Sequence, residues 1–231
     1  MYPDLLNMYG DIGNISILKY RAEKRGIDVH HHSVSAGESA DFAMFDIILL
    51  GGGQDFEMGI VYEDLSGEKK ERLRAFIENE GVFLAIGSGF QLLGETYVSG
   101  EGELRDGLQI LPVVTKPYEG RFVGNIASEI NGVICVGFEN HAGRTYIGGA
   151  TPLGKTLCGF GNNGEDGGEG LLYKNTICSF LHGPLLSKNP ELADDILLRA
   201  LSRKYGEVSL ESLDDTLELS ARESVLKKMK L

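Results

Sequence analysis

Three glycine-bearing junctions carry the side chains with chemical uses. At Leu84-Ala85-Ile86-Gly87-Ser88-Gly89-Phe90-Gln91 an apolar run turns through small residues into a helical pattern. A turn of this kind serves as a nucleophile elbow. It lifts one side chain into a site and leaves the first backbone N–H groups of the next helix facing a developing oxyanion. An ordinary glycine-rich strand–helix turn has the same composition. At Cys178-Ser179-Phe180-Leu181-His182-Gly183-Pro184 the run ends on a histidine before Gly-Pro. That is a rim position in open α/β sheets, although a lone histidine there is also compatible with simple packing. At Leu49-Leu50-Gly51-Gly52-Gly53-Gln54-Asp55 three glycines let backbone amides approach a ligand closely. Neither Gly-Lys-Ser/Thr nor G-x-G-x-x-G follows, so the phosphate-loop motifs are not met.

A framework must hold these junctions. Phe45–Leu50, Val82–Ile86 and Val133–Val136 are continuous apolar runs, each closing on glycine. Continuous rather than alternating runs predict strands covered on both faces, as in parallel sheets. Helical patterns are read over Asn14–Arg25, Gly67–Glu80, from Phe90 to Tyr97, over Pro190–Tyr205 and over Leu210–Leu231. Alternation of strands and helices predicts an α/β fold, with hairpins and loops in the Gly-rich stretch 137–170.

Composition narrows the function. Twenty-two Lys and Arg stand against 34 Asp and Glu, a net charge of −12, which argues against nucleic-acid or anionic-membrane partners. Glycine is abundant, 32 of 231 residues, without a collagen period. Only Cys135, Cys158 and Cys178 are present, a set that suits a reducing compartment rather than a disulfide scaffold. No signal segment or membrane span is read, so a cytoplasmic location is expected. His30-His31-His32 has no Cys or acidic ligand at zinc spacing and is read as a solvated connection, so no metal site is assigned. Tyr9, Phe56, Tyr62 and Phe90 are read as core packing rather than an aromatic wall.

In order along the chain, five blocks resemble the class I glutamine amidotransferases, in the branch related to cobyric acid synthase. They are Leu6-Asn7-Met8-Tyr9-Gly10-Asp11-Ile12-Gly13-Asn14-Ile15, Gly51-Gly52-Gly53-Gln54-Asp55-Phe56-Glu57, Gly137-Phe138-Glu139-Asn140-His141-Ala142-Gly143-Arg144-Thr145, Leu181-His182-Gly183-Pro184-Leu185-Leu186 and Leu213-Asp214-Asp215-Thr216-Leu217-Glu218. The last block fits the glutaminase subunits that serve lipid II amidation. The resemblance implies a flavodoxin-like, mostly parallel central sheet with helices on both faces. It implies an amidotransferase domain over 1–206 and a C-terminal helical extension over 207–231. It further implies ammonia release from L-glutamine, passed to an ATP-dependent Mur-ligase-like partner that amidates the D-glutamate of the lipid II stem peptide in peptidoglycan synthesis. ATP and Mg would belong to that partner, with no cofactor in this subunit.

By the same resemblance His182 is the general base, the backbone amides of Gly53 and Ser88 are the oxyanion donors, and Arg121 and Gln91 bind the substrate. A guanidinium suits the α-carboxylate of glutamine. The family's nucleophilic cysteine is missing, because Gly87 stands in its place. Ser88 is one residue out of register, and none of the three cysteines matches the motif. Two origins fit Gly87: a deliberate or recent loss, favoured by the intact His182, Arg121 and glycine loop, or a natural subunit that binds a partner or glutamine without catalysis. A cobyric acid synthase-like module is a third reading. The position where many relatives carry a glutamate to orient the histidine is Pro184, so that group must be Glu139, Asp11 or an acid of the partner.

Overall fold

The computed structural model describes all 231 residues. Helix α1 (Gly13–Glu23) and strand β1 (Ile47–Leu50) are followed by α2 (Asp55–Leu65), α3 (Glu68–Glu78), β2 (Val82–Ile86) and the short α4 (Ser88–Leu92). A second β-system comes next: β3 (Thr96–Val98), β4 (Leu104–Asp106), β5 (Val114–Ile130), β6 (Val133–Tyr146), β7 (Gly154–Cys158) and β8 (Gly168–Glu169). The chain then returns through β9 (Leu171–Tyr173) and β10 (Thr176–Ser179) to α5 (Pro190–Tyr205) and α6 (Thr216–Met229).

The first sheet has the order β1-β2-β10-β9, with the first three strands parallel and β9 antiparallel at the edge. Its apolar runs are continuous because each face packs on a different core. Ile48, Leu50, Phe83, Ala85 and Cys178 face a cluster with Met58 and Val61 of α2 and Leu73, Phe76 and Ile77 of α3. Leu49, Val82, Leu84, Ile86 and Ile177 face the other, with Leu18 and Ala22 of α1 and Leu192, Ile196 and Leu197 of α5. Leu50 pairs with Ala85 and Ser179 with Ile86, so the three parallel strands end side by side. The three junctions singled out in the sequence therefore meet at one sheet edge, the carboxyl edge where open α/β sheets bind ligands.

The remaining strands depart from the sequence expectations. Val133–Val136 is not part of a parallel sheet. It begins β6, which runs antiparallel to β5 along nearly its whole length in a second sheet. Residues 137–146, at the start of the stretch expected as hairpins and loops, continue that strand, and Cys158 closes β7. The β5–β6 turn is Asn131-Gly132, both with positive φ (51° and 76°), the pair a type I′ hairpin selects. The helix expected from Phe90 to Tyr97 stops at Leu92, because Thr96–Val98 is taken up by pairing with β4. Helix α2 was not anticipated at all. The expected helix over 210–231 is confined to α6, and none of its residues is buried.

Candidate active site

Gly87 stands between β2 and α4 with φ 57° and ψ −121°. Residues with a side chain rarely adopt this conformation, and holding one there costs on the order of 1–3 kcal/mol. Its N–H donates to Ser179 O at 2.9 Å and its carbonyl accepts from Gln91 N at 3.2 Å, so the turn is fixed from both sides. A Cβ at this position would point directly at His182, meeting Cε1 and lying 2.7 Å from Nε2. The imidazole thus occupies the ground over the elbow where a nucleophile's side chain would stand.

His182 is 3% exposed, and its main chain is held by two hydrogen bonds with Phe138 of β6, N to O at 2.9 Å and O from N at 3.1 Å. Asp11 faces the ring, with Oδ1 3.7 Å from Nδ1, and neither atom has another partner. The other Asp11 oxygen accepts from Gly52 N at 2.9 Å, which ties the carboxylate to the glycine loop. Tyr9 covers the imidazole with its ring, 4.4 Å between centroids. Of the two acids of this chain named as orienting groups, Asp11 is the one that faces the ring. Glu139 does not reach His182: it accepts from Phe160 N and Gly161 N and lies 3.8 Å from the ring of His141.

The oxyanion side is partly occupied. Gly53 N–H donates to Ser88 Oγ at 3.0 Å, and that hydroxyl donates back to Gly53 O at 3.1 Å. Ser88 is therefore tied to the loop rather than poised as a nucleophile, and the Gly53 amide is engaged. Arg121 is exposed at the mouth. Its Nε donates to Asn140 Oδ1 at 3.1 Å, and Asn140 Nδ2 in turn donates to the Tyr9 hydroxyl, which links the cation to the residue that covers His182. Gln91 is buried, with its amide nitrogen on Ala142 O at 3.3 Å.

The three cysteines lie elsewhere. Cys135 and Cys178 are buried, and burial pushes the Cys135 thiol up to about 12 and the Cys178 thiol well above its ordinary value. Neither is a thiolate at neutral pH. Of the four aromatic residues, Phe90 is fully buried in the core and Tyr62 packs against it. Phe56 is 77% exposed and Tyr9 lies on the imidazole, so the core expectation is corrected for these two. His30, His31 and His32 are exposed in an extended connection.

A buried polar group that the sequence reasoning missed is bonded to the end of β10, just ahead of His182. Glu169 is completely buried, and Oε1 accepts from Ser179 Oγ at 2.7 Å and from Phe180 N at 2.9 Å, while Oε2 has no partner. Burial raises this carboxyl from 4.5 to about 7 against the pull of those hydrogen bonds, with nearby Glu139 adding to the rise. Next to it His141 stacks on Phe180 at 3.9 Å with both ring nitrogens unpartnered, and burial lowers its affinity for a proton. Because the folded protein holds the Glu169 proton more tightly than the unfolded chain, the stabilisation is complete below 4.5 and is lost as pH rises through about 7. Between those limits it amounts to about 3 kcal/mol. Glu169→Gln keeps the acceptor and removes the charge. It is expected to match the parent near pH 4.5 and to exceed it by about 3 kcal/mol at pH 8 in urea unfolding. Equal pH dependence in the two proteins would contradict the assignment.

An elbow after the second parallel strand, a histidine after the third and a glycine loop after the first define the amidotransferase arrangement. Residues 1–190 match the CobB/CobQ-like glutamine amidotransferase domain, and the chain belongs to that family. It is 44% identical to the lipid II isoglutaminyl synthase (glutamine-hydrolyzing) subunit GatD of Streptococcus pneumoniae, over 94% of this chain and 85% of the relative. Identity to the Staphylococcus aureus subunit of the same name is 40%, over 96% and 91%. Among solved structures, a glutamine amidotransferase superposes with a TM-score of 0.53 at 17% identity, covering 84% of this chain and 96% of the other. PurLQS from Thermotoga maritima gives 0.51 at 16%, covering 87% and 95%. These two establish the shared fold. No helix is long and apolar enough to cross a membrane.

Proposed function

We propose that this chain is the glutamine-handling subunit of a lipid II isoglutaminyl synthase, carrying Gly87 at the nucleophile position. The observation that carries the reading is the extent of its likeness to two such subunits, joined to the convergence of Gly87, His182 and Asp11 at one sheet edge. The partner is a Mur-ligase-like subunit that binds ATP and Mg and amidates the D-glutamate of the stem peptide with the ammonia supplied.

Arg121 pairs with the α-carboxylate of glutamine. With a cysteine at position 87, His182 would take the thiol proton, the thiolate would attack the side-chain carbonyl carbon, and as the carbon–nitrogen bond broke His182 would return that proton to the departing ammonia. Water then hydrolyses the γ-glutamyl thioester, with His182 taking the water's proton. Asp11 orients the imidazole through Nδ1. With glycine at 87 the first bond cannot form, so the chain binds glutamine without turnover. A second reading, a subunit that binds without catalysing, is favoured by one observation: the imidazole lies where a nucleophile's Cβ would stand.

The reading is tested with the chain bound to a Mur-type ligase. Ammonium salts are expected to support ATP-dependent amidation of lipid II, and glutamine is not. Failure to bind such a ligase would count against it. Arg121→Ala is expected to weaken glutamine binding by roughly 10- to 100-fold, the value of a charged hydrogen-bonded contact of about 1.5–3 kcal/mol. Unchanged affinity by calorimetry would remove Arg121 from the pocket.

A further inference from the structure

We infer that Glu169, through its clamp on Ser179 and Phe180, is a positioning residue for the His182 imidazole. The need for a clamp arises where β10 ends. Its last pairing with β9 is Cys178↔Leu171, and with β2 Ser179↔Ile86, so the following amides leave the sheet while still deeply buried. Glu169 Oε1 takes the first, Phe180 N–H, at 2.9 Å. The same oxygen receives the Ser179 hydroxyl at 2.7 Å, which frees that hydroxyl's lone pair to accept the second, Leu181 N–H, at 3.0 Å. Only then does the chain find a strand again, at the paired bonds of His182 with Phe138.

One carboxylate oxygen and one hydroxyl therefore supply every polar contact these two amides make. A buried N–H left without a partner costs about 1–3 kcal/mol, so losing the clamp gives the segment reason to shift. The segment carries a buried ring that Tyr9 covers and Asp11 faces. A displacement of about 1 Å in a catalytic group costs on the order of 100-fold in rate. Glu169 touches neither the ring nor any reacting atom; its action is entirely through the backbone it holds.

Two measurements test this. In the chain as it stands, with Gly87, the His182 ring resonance is followed by NMR and identified by its loss in His182→Gln. Glu169→Ala is expected to move or split that resonance, and Glu169→Gln, which keeps the acceptor, to restore it. An unmoved His182 signal in folded Glu169→Ala would overturn the inference. If Glu169→Ala does not fold, Ser179→Ala removes the hydroxyl bridge alone and is judged by the same criterion. The second measurement rests on the proposed function and uses Gly87→Cys with its ligase partner. There Glu169→Ala is expected to lower kcat at least tenfold with KM for glutamine within twofold, and Glu169→Gln to recover kcat. A loss expressed in KM alone would overturn the positioning role. An inactive Gly87→Cys parent would count against the proposed function, leaving the NMR result to decide Glu169.

Discussion

Gly87→Cys is expected to hydrolyse glutamine, with activity raised by the ligase partner, where the parent chain is expected to show no turnover. Removing the nucleophile from an acyl-transfer site costs on the order of 10⁶ in kcat, so restoring it should be the largest functional change any single substitution here produces. The structure also says what the substitution costs. A cysteine must take φ 57° and ψ −121°, and its Cβ must displace His182 from contact. A stability loss of about 1–3 kcal/mol is expected from the backbone alone. Gly87→Ala separates strain from chemistry, since it carries the same Cβ and no sulfur. It should lose comparable stability and release no ammonia. If Gly87→Cys, folded and bound to its ligase, yields no ammonia from glutamine, the non-catalytic reading replaces the enzymatic one.

The elbow, the histidine and the glycine loop were legible in the sequence because each is a local event, a strand of continuous apolar residues breaking on glycine. Two cores, one on each face of β1 and β2, are what make those runs continuous. The long β5–β6 ribbon escaped notice because β5 is exposed over Lys116–Arg121 and interrupted by Pro117, Gly120 and Gly124, while β6 mixes polar Glu139, Asn140 and His141 into a strand that is buried without alternation. One signal for it was present, the Asn131-Gly132 turn. The orienting acid could be narrowed but not chosen, since Asp11 and His182 are far apart in sequence and Glu139 lies in the more conspicuous motif. Glu169 gave no local signal. It sits in a glycine-rich loop composition, and only folding brings it under the strand that carries His182. Helix α2 was hidden for a different reason: it buries only Met58, Val61 and Leu65, too few for a clear stripe.

The largest effect on stability is expected from a residue outside the site, Asp194 on α5. It receives two hydrogen bonds from Arg21 and two from Arg25, all between 2.7 and 3.0 Å. Arg21 is 2% exposed and is also bonded to Asp215, while Arg25 reaches Glu211 O. The network therefore binds α1 to α5 and fastens the segment leading to α6, a helix that buries none of its own residues. Helix α1 in turn begins just after Asp11, and its Asn14 accepts from Leu186 N beyond His182, so the same helix braces both sides of the site. Asp194→Ala leaves two buried guanidiniums short of their main partner. Breaking a buried pair from one side costs about 3–5 kcal/mol. For a chain of this size that corresponds to a fall in Tm on the order of 10 °C. Salt should alter the loss little, because ions screen buried pairs weakly. Asp215→Asn leaves Arg21 with Asp194, so it should cost much less while opening the 207–215 segment to limited proteolysis. A loss below about 1 kcal/mol in Asp194→Ala would mean that the apolar contacts of α1 with α5, Leu18 and Ala22 against Ile196 and Leu197, hold the two helices together without the ionic network.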